Sequence, residues 1–206
     1  MEELLKRYPA LSVCAKQIEK TVDILVDTYY KGGKILLCGN GGSAADCEHI
    51  AGELLKSFVS QRKMPQNDLD MINAAFPDDA PVFYDSLQRG VPVIPLPSLV
   101  GVSSAYNNDV RADMVYAQLV YAYKAPFDAL LGISTSGNSK NVVNAAKVAK
   151  ALGLRTIALT GEKKCLLDDI CDVVIKAPAS ETYKIQEYHL PIYHYICLEI
   201  EKILFG

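Results

Sequence analysis

No run of lysine and arginine long enough to track a phosphodiester backbone occurs in this chain, whose formal net charge is -3. Nucleic acid is therefore not expected as its primary ligand. No stretch approaches the roughly 18 uninterrupted apolar residues of a membrane-spanning helix. The opening MEELLKRYPAL mixes charged and apolar residues where a secretory leader would be basic and then apolar. A cytoplasmic protein without membrane contact is expected. The six cysteines occur singly, with no CxxC pair to suggest a zinc ribbon or a dithiol site. Most have apolar neighbours and read as small, reduced core residues. Only three histidines are present, so where they fall is informative.

The chain does hold enough apolar material, 50% of 206 residues, to bury the core of one domain, and a single domain over 1–206 is expected. Residues 3–31 carry apolar positions at helical spacing, broken near Pro9. The short apolar run 35–38 is of the kind that forms a strand covered on both faces, and a glycine-rich turn leads from it into a second helix. The order then recurs, with FDALLGI (127–133) as strand, STSGNS (134–139) as turn and 140–152 as helix, followed by strands at 155–160 and 173–176. From about 182 to 204 the spacing is helical again, with Pro191 placing a kink or a start inside it. This alternation predicts an α/β fold, a three-layer αβα sandwich around a parallel sheet. The proline-rich stretch at about 60–97 reads as an elaborated connection.

Two loops could hold a phosphate. Cys38-Gly39-Asn40-Gly41-Gly42-Ser43-Ala44 lies where a buried strand gives way to a helix, and there glycines let free backbone N–H groups approach an anion. A tight turn needing flexible residues would look the same. Gly39, Gly41 and Ala44 also satisfy a variant of the dinucleotide fingerprint, but the acidic residue required at the end of a following strand is missing from Ser57-Phe58-Val59-Ser60-Gln61-Arg62-Lys63. In the second loop, Ser134, Thr135, Ser136 and Ser139 pack four hydroxyls into six residues. Helix capping accounts for one or two of them; a phosphate monoester saturated by hydroxyls and amides accounts for all.

Acid–base candidates follow the first loop. Asp46, His49 and Glu53 form a polar row opposite an apolar stripe of Cys47, Ile50, Ala51, Leu54, Leu55 and Phe58. The row is either a solvated helix face or a set of groups aimed at one ion or substrate. Gln186, His189 and His194 stand on the C-terminal helix. In one unbroken helix Gln186 and His194 would be about 12 Å apart along the axis, too far to share an ion. Either the helix is interrupted near Pro191 or different subunits supply the two.

Taken together, CGNGGSA, DxxHxxxE, NDxxxDxxY, STSGNS and QEYHxxxxH resemble the phosphoheptose isomerase branch of the SIS family over most of the chain. The resemblance implies a flavodoxin-like doubly wound fold, a homotetramer with active sites between subunits, and conversion of a ketose phosphate to an aldose phosphate. Position by position, it assigns substrate contacts to Asn40, Gly41, Gly42, Ser43, Asn108, Asp109, Ser134, Thr135, Ser136, Ser139 and Gln186. It makes His49, Glu53, Gln186 and His194 zinc ligands, and Glu53 and His194 the base and acid. The segment at about 60–97 departs from the family pattern as an insertion, and Pro126 and Tyr183 fall near loops that differ. Tetrameric SIS relatives that bind the bacterial replication initiator offer a non-catalytic alternative, but they lack the groups matching Glu53 and His194. A sugar-phosphate sensor or an isomerase of another phosphosugar are further alternatives.

Overall fold

The computed structural model describes residues 1–206. Its centre is a five-stranded, wholly parallel sheet: β1 (Ile35–Gly39), β2 (Val93–Pro95), β3 (Ala129–Ile133), β4 (Arg155–Gly161) and β5 (Val173–Ala177). The order across the sheet is β2-β1-β3-β4-β5, the flavodoxin-like doubly wound arrangement, whose strand order reverses between β1 and β3. Every residue of β1 and β3 is buried, as two-sided coverage requires. Successive residues alternate between the two cores: Ile35 and Leu37 face one side, Leu36 and Cys38 the other.

The first side is covered by α2 (Ala15–Tyr30), α3 (Gly42–Leu55) and α9 (Thr182–Phe205), the second by α7 (Val115–Tyr123) and α8 (Lys140–Ala151). The break expected near Pro9 is a 3₁₀ turn, Pro9–Cys14, joining α1 (Glu2–Arg7) to α2. In α3 the apolar stripe is buried at Cys47, Ile50, Ala51 and Leu54, but Leu55 ends the helix half exposed.

The stretch 60–97 contains two helices, α4 (Gln66–Ala75) and α5 (Ala80–Ser86), and also the edge strand β2. That strand was not expected. It is three residues long and sits among Pro92, Pro95 and Pro97, which an edge strand tolerates because one side of its backbone has no ladder to donate to. A seven-residue α6 (Val100–Tyr106) and a π-turn, Asn107–Arg111, lead on to α7.

Pro191 does not start a new helix, and α9 runs unbroken through it. A proline inside a helix costs about 3 kcal/mol. Burial of Ile185, Ile192, Ile196 and Ile200 along the same helix is worth roughly 1.5–3 kcal/mol for each side chain, which outweighs it.

Candidate active site

Both glycine- and hydroxyl-rich loops emerge from the carboxyl ends of β1 and β3, the pair flanking the strand-order reversal, where open α/β sheets hold ligands. In the first loop Gly41 has φ +57 and ψ -122, backbone angles that side chains with a Cβ rarely adopt. No intrachain partner takes the N–H of Gly41 or Gly42. Asn40 is held by a reciprocal amide pair with Asn141, at 2.9 and 2.8 Å, and the Tyr116 hydroxyl donates to the Gly39 carbonyl at 2.6 Å. Ser43 is buried beneath the turn.

In the second loop Ser134 and Ser139 hydroxyls are 3.0 Å apart, while Thr135 and Ser136 line an adjoining cavity of about 210 Å³. Gly137 has φ +63, and a Cβ there would lie 2.3 Å from Cys165 Sγ, so only glycine closes this turn. The N–H groups of Ser139, Lys140 and Asn141 at the start of α8 have no intrachain partner. Lys163, Lys164 and Thr182 stand on the far wall of the cavity. The loop's own hydroxyls and amides do not point to these two lysines, which belong to the β4–β5 connection. Asn108 and Asp109 lie exposed in the π-turn, where the Asn108 amide donates to Asp109 at 2.9 Å; neither bonds to the loops.

Farther along α3 a second cluster forms. His49 Nε2 is 3.2 Å from Glu53 Oε1 and 3.3 Å from His194 Nε2. Behind it, the buried Tyr193 hydroxyl is 3.0 Å from His49 Nδ1 and donates to Asp46 Oδ1 at 3.2 Å. Burial raises the Asp46 pKa, partly offset by the Tyr193 hydroxyl and by His49. Burial lowers that of His194, His49 adds to the effect, and Glu53 opposes it. Tyr193 was overlooked in the sequence, although a tyrosine in an aliphatic buried stripe signals that its hydroxyl needs a partner.

Histidine nitrogen and glutamate oxygen are donor types that zinc takes. Around a tetrahedral ion with ligand distances of about 2.0–2.1 Å, donor atoms are roughly 3.3 Å apart, close to the two separations found. Within one chain, however, no group of three or more His, Cys, Asp or Glu is arranged to hold a metal ion. Gln186 does not join the cluster. It sits eight residues before His194 on an unbroken helix, and its Nε2 lies against the first loop, 2.5 Å from where a Cβ on Gly42 would be.

His189 belongs to neither group. It is fully buried, its Nε2–H donates to the Thr160 carbonyl at 3.3 Å, and its Nδ1 has no partner. Burial lowers its pKa from 6.5 to about 4, the Thr160 contact opposing. The folded chain therefore keeps this ring neutral. As pH falls from about 6.5 toward 4 the unfolded chain binds the proton first, and stability should drop by up to roughly 3 kcal/mol. Urea midpoints measured across that range, with a His189→Gln variant lacking the step, check this.

The SIS domain model matches residues 3–80 and 88–161. A phosphoheptose isomerase from Aliarcobacter butzleri is 39% identical over 187 residues, covering 91% of this chain and 85% of that protein. One from Crocosphaera subtropica is 37% identical over 191 residues, covering 93% and 84%. Among solved structures, a phosphoheptose isomerase from Francisella tularensis superposes with a TM-score of 0.78 at 26% identity, covering 98% of this chain and 94% of that one. The Neisseria gonorrhoeae enzyme gives 0.76 at 28% identity with the same coverage. With its doubly wound sheet and with both loops at the strand-order reversal, the chain belongs to the phosphoheptose isomerase family of SIS-domain proteins.

Proposed function

We propose that this protein interconverts sedoheptulose 7-phosphate and D-glycero-D-manno-heptose 7-phosphate, with Glu53 and His194 moving the protons. The observation that carries the residue assignment is the meeting of Glu53, His49 and His194 within 3.2–3.3 Å contacts. The reaction removes a proton from C1 of the ketose, passes through an enediolate, and returns a proton to C2 as the carbonyl shifts from C2 to C1. Glu53 presents Oε1 to His49, which leaves Oε2 for the carbon-bound proton. His194, kept neutral by burial, has an N–H to give to the developing oxyanion. The phosphate is placed on the free N–H groups and hydroxyls at the start of α8, with Asn40, Gly41, Gly42 and Ser43 along the sugar. Asn108 and Asp109 close the site as further substrate contacts.

His49, Glu53 and His194 would hold zinc only together with a donor at a fourth position. When bound, such an ion polarises the carbonyl as a Lewis acid. Gln186, about 12 Å along α9 from His194, reaches that position from a second copy. Glu53 likewise stands about 16 Å along α3 from Gly42 at 1.5 Å per residue, longer than a heptose phosphate held at the loops can bridge. Both separations support active sites that lie between subunits, as in the homotetramer that the family resemblance implies. Six free cysteines accord with a reducing, cytoplasmic setting.

Metal-replete protein incubated with sedoheptulose 7-phosphate should form aldose phosphate, and chelator treatment should suppress it. Failure on this substrate but turnover of another ketose phosphate would keep the isomerase and change the sugar. Gly42→Ala places a methyl where Gln186 Nε2 sits. It is expected to raise KM several-fold, on the order of 1 kcal/mol of lost binding, without lowering the melting midpoint.

A further inference from the structure

We propose that the two-helix arm at 64–88 is a clasp that closes over a second copy of this chain, laying α4 and α5 against the lysine-bearing rim of that copy's second loop. The inference rests on the between-subunit reading above for where the second copy stands. Within its own chain the arm has little to hold it. Of residues 64–88 only Ala80 is buried, and Met71, Phe76, Val82, Phe83, Tyr84 and Leu87 stay exposed, Phe76 and Val82 at 61% and 64%. Helices of 10 and 7 residues are too short to persist on backbone hydrogen bonds alone, and a cavity of about 290 Å³ lies between the two. Apolar surface gathered on one projection in this way marks a contact site.

Charge selects what covers it. The arm carries Asp68, Asp70, Asp78, Asp79 and Asp85 and no lysine or arginine, so a twofold pairing of arm on arm would set like charges together. Lys140, Lys163 and Lys164, by contrast, are exposed and form no ion pair within their own chain. They stand at the start of α8 and on the cavity wall beside the second loop. Position agrees with charge, because the root of the arm is fastened at the Glu53 end of α3. Arg62 donates to the Leu54 and Glu53 carbonyls at 2.7 and 2.9 Å, the Val91 N–H to the Leu54 carbonyl at 2.9 Å, and the Arg89 N–H to the Arg62 carbonyl at 2.8 Å. That is the end of α3 which a second copy's loops must approach if Glu53 is to reach a sugar held on them.

Hydrogen exchange read by mass spectrometry, with assembly followed by sedimentation velocity, tests the clasp without relying on turnover. In assembled protein the amides of 66–86 should exchange slowly, and dilution to single chains should speed them roughly 10-fold or more. Phe76→Asp with Val82→Asp, at positions exposed in the single chain, should raise the dissociation constant of assembly by about 10-fold or more. Asp78→Lys with Asp79→Lys should weaken assembly most at low salt, and adding Lys163→Glu with Lys164→Glu should restore part of it. Unchanged assembly in both paired variants would overturn the proposal. Fast exchange across 66–86 in assembled wild-type protein would overturn it too, while leaving the between-subunit site standing. A wild-type protein that stays a single chain at every concentration would overturn both.

Discussion

Replacing Glu53 by glutamine is expected to lower turnover of sedoheptulose 7-phosphate by about 10²–10⁴-fold, the usual contribution of a positioned proton-transfer group. The substitution keeps side-chain volume, and the backbone carbonyl of residue 53 remains an acceptor for the Arg62 guanidinium at 2.9 Å, so the melting midpoint should stay near wild type. What is lost is an oxygen able to take a proton from carbon. Two readouts separate this from a binding defect. KM should change far less than kcat, and exchange of the C1 hydrogen with deuterated solvent should fall with turnover. Wild-type exchange in the glutamine variant would move the base elsewhere. His194→Gln should slow turnover as well but preserve some C1 exchange, since it removes the oxygen-side donor and leaves the carboxylate.

The sheet and the two loops were legible in the sequence because their signals are local. The run 35–38 and the strand 129–133 are continuous apolar segments followed at once by Gly- and Ser-rich turns, a pattern with few other meanings in a chain of alternating strands and helices. The edge strand was not legible: three residues between prolines carry no periodicity. Pro191 misled for a related reason. Local propensity predicts a break, and only the tertiary burial of the isoleucines on either side overrides it. The cluster of His49, Glu53 and His194 was half legible. His49 and Glu53 announce themselves by spacing on one helix face, but the approach of His194 to His49 depends on how α9 crosses α3, which no local pattern encodes. The same holds for Asn141, which braces Asn40 from α8, across the strand-order reversal. It also holds for Lys163 and Lys164, which reach the cavity from a connection that carries no motif.

Arg62→Met is expected to destabilise the chain by about 3–5 kcal/mol, the cost of leaving one member of a buried ion pair uncompensated. At roughly 2–4 °C per kcal/mol for a protein of this size, the melting midpoint should fall by roughly 6–20 °C. Arg62 and Glu201 are 2% and 1% exposed, and Arg62 Nε donates to Glu201 at 2.7 Å. The remaining guanidinium N–H groups reach the Leu54 and Glu53 carbonyls at 2.7 and 2.9 Å, capping the end of α3. Glu201 in turn accepts the N–H of Phe58, Val59 and Ser60. Burial alone would raise its pKa, but those three backbone donors and Arg62 together hold it below the ordinary range. Its contribution is therefore complete above the unfolded carboxylate range, near pH 4.3, and is lost as pH falls through the depressed folded value. Without Arg62 the folded-state value rises, so protonation relieves part of the unpaired charge and the variant's deficit in urea midpoint should narrow on acidification. Removing both charges in Arg62→Met with Glu201→Leu relieves the unpaired carboxylate but frees three N–H groups and two carbonyls. It should recover only part of the stability. Because the same guanidinium holds the carbonyl of residue 53, the end of α3 should loosen in either variant, and kcat should fall even at temperatures where both remain folded.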